Sequence, residues 1–357
     1  MKRILLGLLL IALIGAGAAY FWRNAVGLRI FSQAAQSGVA HDIVATLPDG
    51  LTAGFCGTGS PLPDRTRAGP CTAVVAGGRL FIFDVGDGAT ETLARMGLQP
   101  AHIEAVFLTH VHSDHIDGLG GLAVQRWATA ASNVPLPLYG GEGVERVAAG
   151  FNEAYAIDAT YRVAHHGPEV VPPGGAGYEA RAFALPEGAE SAIVFDNGGI
   201  TITAFAVDHG PVRPAFGYRI DYEGRSIVIS GDTAPSPGLT RAAQGADLLI
   251  HEALSPELTR IMEEAATRHN LSGVAHIFHD IPDYHTSPAD AARIASDANA
   301  GALALTHLIP PLPISIIEGP FLGDARAHYD GPLWIMRDGD LIILPASGGT
   351  ERRNTLQ

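Results

Sequence analysis

Charged side chains are scarce in this chain, at 17% of its 357 residues against 47% hydrophobic. That balance excludes an intrinsically disordered protein, and the length suffices for one large or two ordinary domains with a full core. Basic residues are scarcer than acidic ones. The net charge is −14, and no Lys/Arg run lies outside the two ends. An acidic surface repels phosphate backbones, so composition predicts no nucleic-acid partner.

Cysteine is nearly absent. Only Cys56 and Cys71 occur, flanking a Gly/Pro-rich connection that begins Gly57-Thr-Gly-Ser-Pro-Leu-Pro and ends Ala68-Gly-Pro70. If the flanking strands pair antiparallel, the two can bridge, which suits an oxidising compartment. Two buried thiols are the other reading, and the sequence leaves both open. Charge is missing altogether from Ile4 to Trp22, directly after Met1-Lys-Arg3. A basic start before such a run reads as a signal peptide or an uncleaved membrane anchor. Ala16-Gly-Ala18 is a candidate cleavage site, whereas Tyr20-Phe-Trp22 followed by Arg23 resembles an interfacial anchor. Either way the body is expected outside the cytoplasm, free in the periplasm or anchored at the periplasmic face of the inner membrane. Residues 1–22 are read as this segment, 23–45 as a linker or short helix, 46–345 as the folded domain and 346–357 as a flexible tail.

Histidine, by contrast, is concentrated. The run Leu108-Thr-His-Val-His-Ser-Asp-His-Ile-Asp117 carries His110, His112, Asp114 and His115, directly after the apolar stretch Ile103-Glu-Ala-Val-Phe-Leu108. Such a stretch reads as a buried strand, and a strand stopping here delivers two pairs of ligands into one loop at a sheet edge. Imidazole nitrogen and carboxylate oxygen suit zinc and similar divalent ions, so metal is expected here.

The pattern recurs downstream. Residues 73–76 and 80–83 read as strands joined at Gly77-Gly78, followed by helices over 89–96 and from 118 to about 129. Residues 200–207 form a strand ending at Asp208-His209, and 216–220 with 226–230 form a hairpin that ends at Gly231-Asp232-Thr233. Residues 247–250 end at His251-Glu252, and 302–305 at Thr306-His307. Residues 333–335 and 341–344 read as a closing hairpin around Asp338-Gly339. Residues 160–190 are rich in Pro and Gly and read as a surface loop or insertion, with His165 and His166 solvated beside it. Arg65 and Arg67 read as solvated loop arginines. Five strands thus finish on a metal-competent residue: His110, His209, Asp232, His251 and His307. Active sites carried on loops at one sheet edge produce this recurrence.

The set His-x-His-x-Asp-His at 110–115, then His209, Asp232 within Gly-Asp-Thr, and His307 resembles the metallo-β-lactamase superfamily in order over residues 46–345. The resemblance implies an α/β fold, a four-layer αββα sandwich with two metals at one edge of the inner sheets. It implies a first metal on His110, His112, His209 and Asp232, and a second on Asp114, His115, His307 and the same Asp232. Two Zn2+ are expected, with Mn2+ or iron as alternatives. Two such cations lower the pKa of bound water, giving hydroxide as nucleophile, and stabilise charge on an ester oxygen in the transition state. Asp114 is expected to orient that hydroxide.

Within the superfamily, three features resemble the ribonuclease Z and arylsulfatase-like branch. They are Gly57-Thr-Gly-Ser-Pro61, Leu248-Leu-Ile-His-Glu-Ala253 (its HEAT element, with Leu254 for the final Thr), and Tyr284-His-Thr-Ser287 before Pro-Ala-Asp-Ala-Ala292. In that branch the histidine of the last element assists the leaving group and a glutamate holds it. Carried over, His285 is the general acid and Glu252 orients it; an ordinary helix-start residue is the other reading of His285. Two departures concern RNA. Leu305-Thr-His-Leu-Ile-Pro-Pro311 replaces the Phe-Ser-x-Arg-Tyr that usually follows the last metal histidine of ribonuclease Z. The basic, glycine-rich arm that grips tRNA is also missing, since 160–190 carries only Arg162 and Arg181.

The expectation is therefore a dinuclear zinc hydrolase of a small-molecule ester, phosphodiester or aryl sulfate first, lactone or carboxylic ester behind. A ribonuclease Z-type 3′-tRNA endonuclease is the alternative. Asp232 argues against β-lactamase activity, because such members usually lack it. The alternative of another class is a di-iron redox protein, against which His209 stands where those members generally carry a carboxylate. Homodimers are common in the branch.

Overall fold

The computed structural model describes residues 2–39 and 41–356. Two compact units form, Met1–Asp42 and Ile43–Gln357. The first is one helix, α1 (Lys2–Val39), long and apolar enough by length and composition to cross a membrane. Of the two readings of the segment after Trp22, the helical one holds as far as Val39, continuous with the apolar run. No proline interrupts residues 23–39, so nothing breaks the hydrogen-bond ladder there. Ile43 and Val44, placed in the same linker by sequence, are buried in the core of the second unit.

The second unit is built on two sheets. The first contains β1 (Gly50–Gly57), β2 (Cys71–Ala76), β3 (Arg79–Phe83), β4 (Ile103–Phe107), β5 (Leu136–Gly140) and β6 (Tyr178–Ala182). The second contains β7 (Ser191–Asn197), β8 (Ile200–Ala206), β9 (Phe216–Tyr222), β10 (Arg225–Ile229), β11 (Leu248–Leu254), β12 (Leu303–Ile309) and β13 (Leu333–Ile335). The chain then returns to the first sheet with β14 (Asp340–Pro345) and β15 (Glu351–Asn354), giving the order β15-β14-β1-β2-β3-β4-β5-β6 beside β13-β12-β11-β10-β9-β8-β7. The helices are α2 (Ala89–Met96), α3 (Ser113–Ile116), α4 (Leu119–Ala130), α5 (Val144–His166), α6 (Pro237–Ala242), α7 (Pro256–Arg268), α8 (Ser272–Asp280), α9 (Pro288–Asp297) and α10 (Glu318–Leu322).

Strand alternation sorts the side chains into layers. On β3, Phe81 and Phe83 face the second sheet, while Leu80 and Ile82 face the helices. Between the sheets Phe107 stacks on Phe83 and Tyr139 with centroids 5.2 and 4.6 Å away. Each fully buried ring contributes about 1.5–3 kcal/mol. Outside the first sheet α2, α4 and α5 cover one apolar layer, and outside the second α6, α9 and α10 cover another. The result is the expected four-layer αββα sandwich.

Three readings of the sequence need correction. β13 and β14 are not a hairpin: β13 runs parallel to β12 in one sheet, and β14 pairs with β1 in the other. The tail is not loose, because β15 pairs with β14, and Arg352 and Asn354 donate to the Asp340 carboxylate at 2.9 Å each. The stretch 160–190 contains the end of α5 and all of β6, so its Pro/Gly content marks the connections before and after β6; His165 and His166 are exposed at the helix end. The open question of the cysteines resolves as a Cys56–Cys71 disulfide, between antiparallel neighbours β1 and β2.

Candidate metal centre and active site

The histidine cluster begins three residues beyond β4. His112 caps α3, whose first turn carries Asp114 and His115. His209 follows β8, and Asp232 follows β10 after Gly231, whose φ is +63° and where a Cβ would lie 2.6 Å from the Phe216 carbonyl. His307 lies within β12, at φ +46°, where the β11–β12 register shifts. A non-glycine residue in the left-handed region costs of order 1–3 kcal/mol, and such strain collects at functional sites.

These elements bring all seven expected ligands together. His110 Nε2 lies 2.8 Å from His112 Nδ1, which lies 3.4 Å from His209 Nε2. In the second group, His115 Nε2 and His307 Nε2 each lie 3.4 Å from Asp114 Oδ2 and 3.3 Å from Asp232 Oδ2. Asp232 Oδ2 is also 4.0 Å from His209 Nε2, so one oxygen borders both groups.

The hydrogen-bond network assigns the tautomers. Asp84 Oδ2 accepts from His115 Nδ1 at 2.8 Å and from the Thr109 hydroxyl at 2.7 Å. With its proton committed, Thr109 Oγ1 accepts from His110 Nδ1 at 3.0 Å, and the Tyr284 carbonyl accepts from His209 Nδ1 at 3.0 Å. His110 and His209 therefore turn an unprotonated Nε2 inward, and His115 Nε2 is buried with no hydrogen-bond partner. Donors about 2.0–2.1 Å from a tetrahedral ion stand roughly 3.3–3.4 Å apart, close to most of the spacings above. Nitrogen lone pairs facing carboxylates across such gaps suit divalent cations. Burial and then the His115 ring push the His110 pKa well below the imidazole range, whereas Asp232 and Asp84 outweigh burial and hold that of His115 well above it, so a cation at this centre would take the place of a proton on His115. Burial opposes ionisation of Asp232, but the rings of His307 and His115 hold its pKa well below the carboxylate range.

Beside this centre Glu252 is buried on β11. Its Oε1 accepts from His285 Nδ1 at 3.1 Å and from the Thr286 amide at 2.9 Å. His285 stacks over His307 with centroids 5.8 Å apart. His251, expected as a strand-end ligand, joins none of the ligand groups among the described residues; its Nδ1 is committed to the Glu252 carbonyl at 2.7 Å. Sequence reasoning missed Asp84, which holds two of the site's side chains. Its only signal was an acidic residue directly after the apolar run 80–83.

Two cavities flank the centre. One of about 200 Å³ lies over His112, Asp114, Asp232, His285 and His307, walled by Pro61, Leu62, Ile277, Phe278, Ile281 and Ile309. Another of about 970 Å³ lies past His209, with Phe183 and Phe216 on its wall and both carboxylates and arginines around it. The loop bearing Pro61 and Leu62 is tied to Asp338, which accepts from the Thr58 amide and hydroxyl at 3.0 and 2.7 Å and from the Ala68 amide at 2.6 Å. Arg67, read from sequence as solvated, is partly buried here and donates to Thr58 Oγ1 and the Met336 carbonyl.

Residues 82–308 match the family described as "Beta-lactamase superfamily domain". The chain belongs to the β-lactamase superfamily, and it is a metal-dependent hydrolase acting on ester bonds. It is 37% identical over 258 residues to a ribonuclease Z of Mycobacterium avium (strain 104), covering 72% of this chain and 85% of that protein. A ribonuclease Z of Mycolicibacterium gilvum (strain PYR-GCK) is likewise 37% identical over 258 residues, covering 72% and 83%. Among solved structures, human tRNase Z, short form, superposes with a TM-score of 0.58 at 25% identity, over 82% of this chain and 99% of that one. The metallo-beta-lactamase fold protein YhfI of Bacillus subtilis superposes with a TM-score of 0.56 at 21% identity, over 85% and 100%. These relatives overturn the expectation of a small ester and no nucleic-acid partner. Net charge is an average over the whole surface, and the field at one cleft decides what enters it.

Proposed function

We propose that this chain is a ribonuclease Z-type phosphodiesterase that hydrolyses RNA at a centre of two zinc ions. The observation that carries the reading is the pair of inward-facing donor groups sharing Asp232 Oδ2, in a chain similar to ribonuclease Z over most of that protein's length. His110, His112, His209 and Asp232 would hold one ion, and Asp114, His115, His307 and Asp232 the other. When bound, such ions acidify water and stabilise charge on the phosphoryl oxygens.

The chain's own residues do the rest. Asp114 holds the attacking water. His285 hands its proton to the leaving oxygen, and Glu252 fixes the His285 ring so that Nε2 faces the substrate. The larger cavity takes the strand on the other side of the scissile phosphate. Arg213 on its wall has no ion-pair partner among the described residues, whereas Arg241 is tied to Glu190. The α1 helix is read as an anchor, and Lys2 and Arg3 in its first turn favour a domain on the non-cytoplasmic face. A disulfide persists on that side.

The test is cleavage of an end-labelled structured RNA with a single-stranded 3′ extension by zinc-loaded protein. Cutting that is lost in His112→Ala and Asp232→Ala, with circular dichroism unchanged, is the expected result. No cutting by fully loaded wild-type protein refutes the ribonuclease reading, and stoichiometric iron after purification without added metal refutes zinc.

A further inference from the structure

We propose that the smaller cavity, on the His285 side of the centre, is a subsite for an uncharged apolar group carried by the leaving oxygen, with Ile277 and Leu62 selecting for it. The inference rests on the reading that His285 faces the leaving oxygen. Apart from the reacting centre and Tyr284, the walls are entirely apolar: Pro61, Leu62, Ile277, Phe278, Ile281 and Ile309. No lysine or arginine lines it. The chemistry follows from desolvation. A charged group entering this space loses water and finds no counter-charge, whereas an apolar ring or short alkyl group gains contact.

Size agrees. A cavity of roughly 150 Å³ lined by aliphatic and aromatic side chains accepts benzene, and this one measures about 200 Å³. It fits a single ring or a base face and leaves little room for a further phosphate. The apolar surface also continues outward. Leu271 at the N-cap of α8, and Val274 and Ile277 within it, recur at every third position and are 53%, 42% and 56% exposed. Ile277 belongs to both the cavity wall and this exposed stripe. In an RNA, the group seated here is the base of the leaving nucleoside, and the next phosphate lies outside.

Binding of inert probes reads the subsite without turnover. Zinc-loaded full chain in nanodiscs is titrated by calorimetry with phenylphosphonate and with 4-carboxyphenylphosphonate. The phenyl probe is expected to bind about tenfold more tightly, because the added carboxylate is stripped of water against aliphatic walls. Ile277→Arg and Leu62→Arg should each shrink that ratio to about threefold or less, and Ile277→Leu should keep it. Zinc content and circular dichroism serve as checks on folding. Equal affinity of the two probes for wild-type protein overturns the proposal, as does a ratio unchanged in both arginine variants. RNA cleavage is scored separately. A phenyl preference without RNA cutting removes the ribonuclease reading and leaves the subsite standing.

Discussion

Asp84 Oδ2 lies 2.8 Å from His115 Nδ1, so a carboxylate beneath the cluster decides which nitrogen of that ring faces inward. Asp84 has φ +58°, a conformation asparagine tolerates better than other side chains, so Asp84→Asn removes the charge and keeps the backbone. Loss of such an outer partner typically costs about 10–100-fold in metal affinity. Competition with a chromophoric chelator should show a drop of that size with the far-ultraviolet spectrum intact. Affinity equal to wild type would mean that His115 is oriented by packing alone.

The role given to His285 depends on the leaving group. A nitrophenolate departs without a proton, whereas a ribose alkoxide needs one. His285→Ala should therefore lower turnover of RNA by about 10²–10⁴-fold, the usual worth of a general acid. Turnover of bis(4-nitrophenyl) phosphate should fall by less than about tenfold, with two zinc ions retained. Equal losses on both substrates would assign His285 to the metal cage.

Glu252 should set the alkaline limb of the pH profile. Burial opposes a charge on His285, but the Glu252 carboxylate outweighs it and raises the pKa above the ordinary imidazole value. The protonated donor is present below that pKa and lost as pH rises through it. Glu252→Gln removes the compensating charge and keeps the burial, so the alkaline limb on RNA should move to lower pH. A limb at the same pH in the variant would rule out this coupling.

The Cys56–Cys71 bridge closes a separation of 15 residues next to the site. Loops of that size are worth about 3 kcal/mol through the unfolded chain. Denatured, unreduced protein should show no free thiol, and Cys56→Ser/Cys71→Ser should melt several degrees earlier. Two titratable thiols before reduction would contradict the bridge.

The histidine run at 110–115 was legible because its ligands are adjacent in sequence. His209 and Asp232 were legible because each follows an apolar strand, and His307 because an apolar run precedes it; strands β4, β8 and β10 stop within a residue of where the pattern says. His251 failed by the same logic. β11 and β12 continue past His251 and His307 to Leu254 and Ile309, so position along the strand did not tell which face each residue takes. A shifted register and a left-handed backbone turn His307 inward, and neither is written in local composition. The 333–344 hairpin failed because two apolar runs around Asp-Gly look alike whether they share a sheet or bridge two. The apolar cavity wall was invisible, since its residues come from positions 61 to 309 and meet only in the fold.

Asp338 sits where the chain passes from β13 to β14, yet its carboxylate grips Thr58 and Ala68 at the two ends of the loop that walls the active site. The loop at the site's entrance is thus fastened by a residue made 280 positions after Thr58. A chain emerging N-terminus first carries its complete histidine cluster long before it carries that fastening. The loop is therefore fastened only once the last strands have been laid, and a nascent or C-terminally clipped chain lacks that fastening.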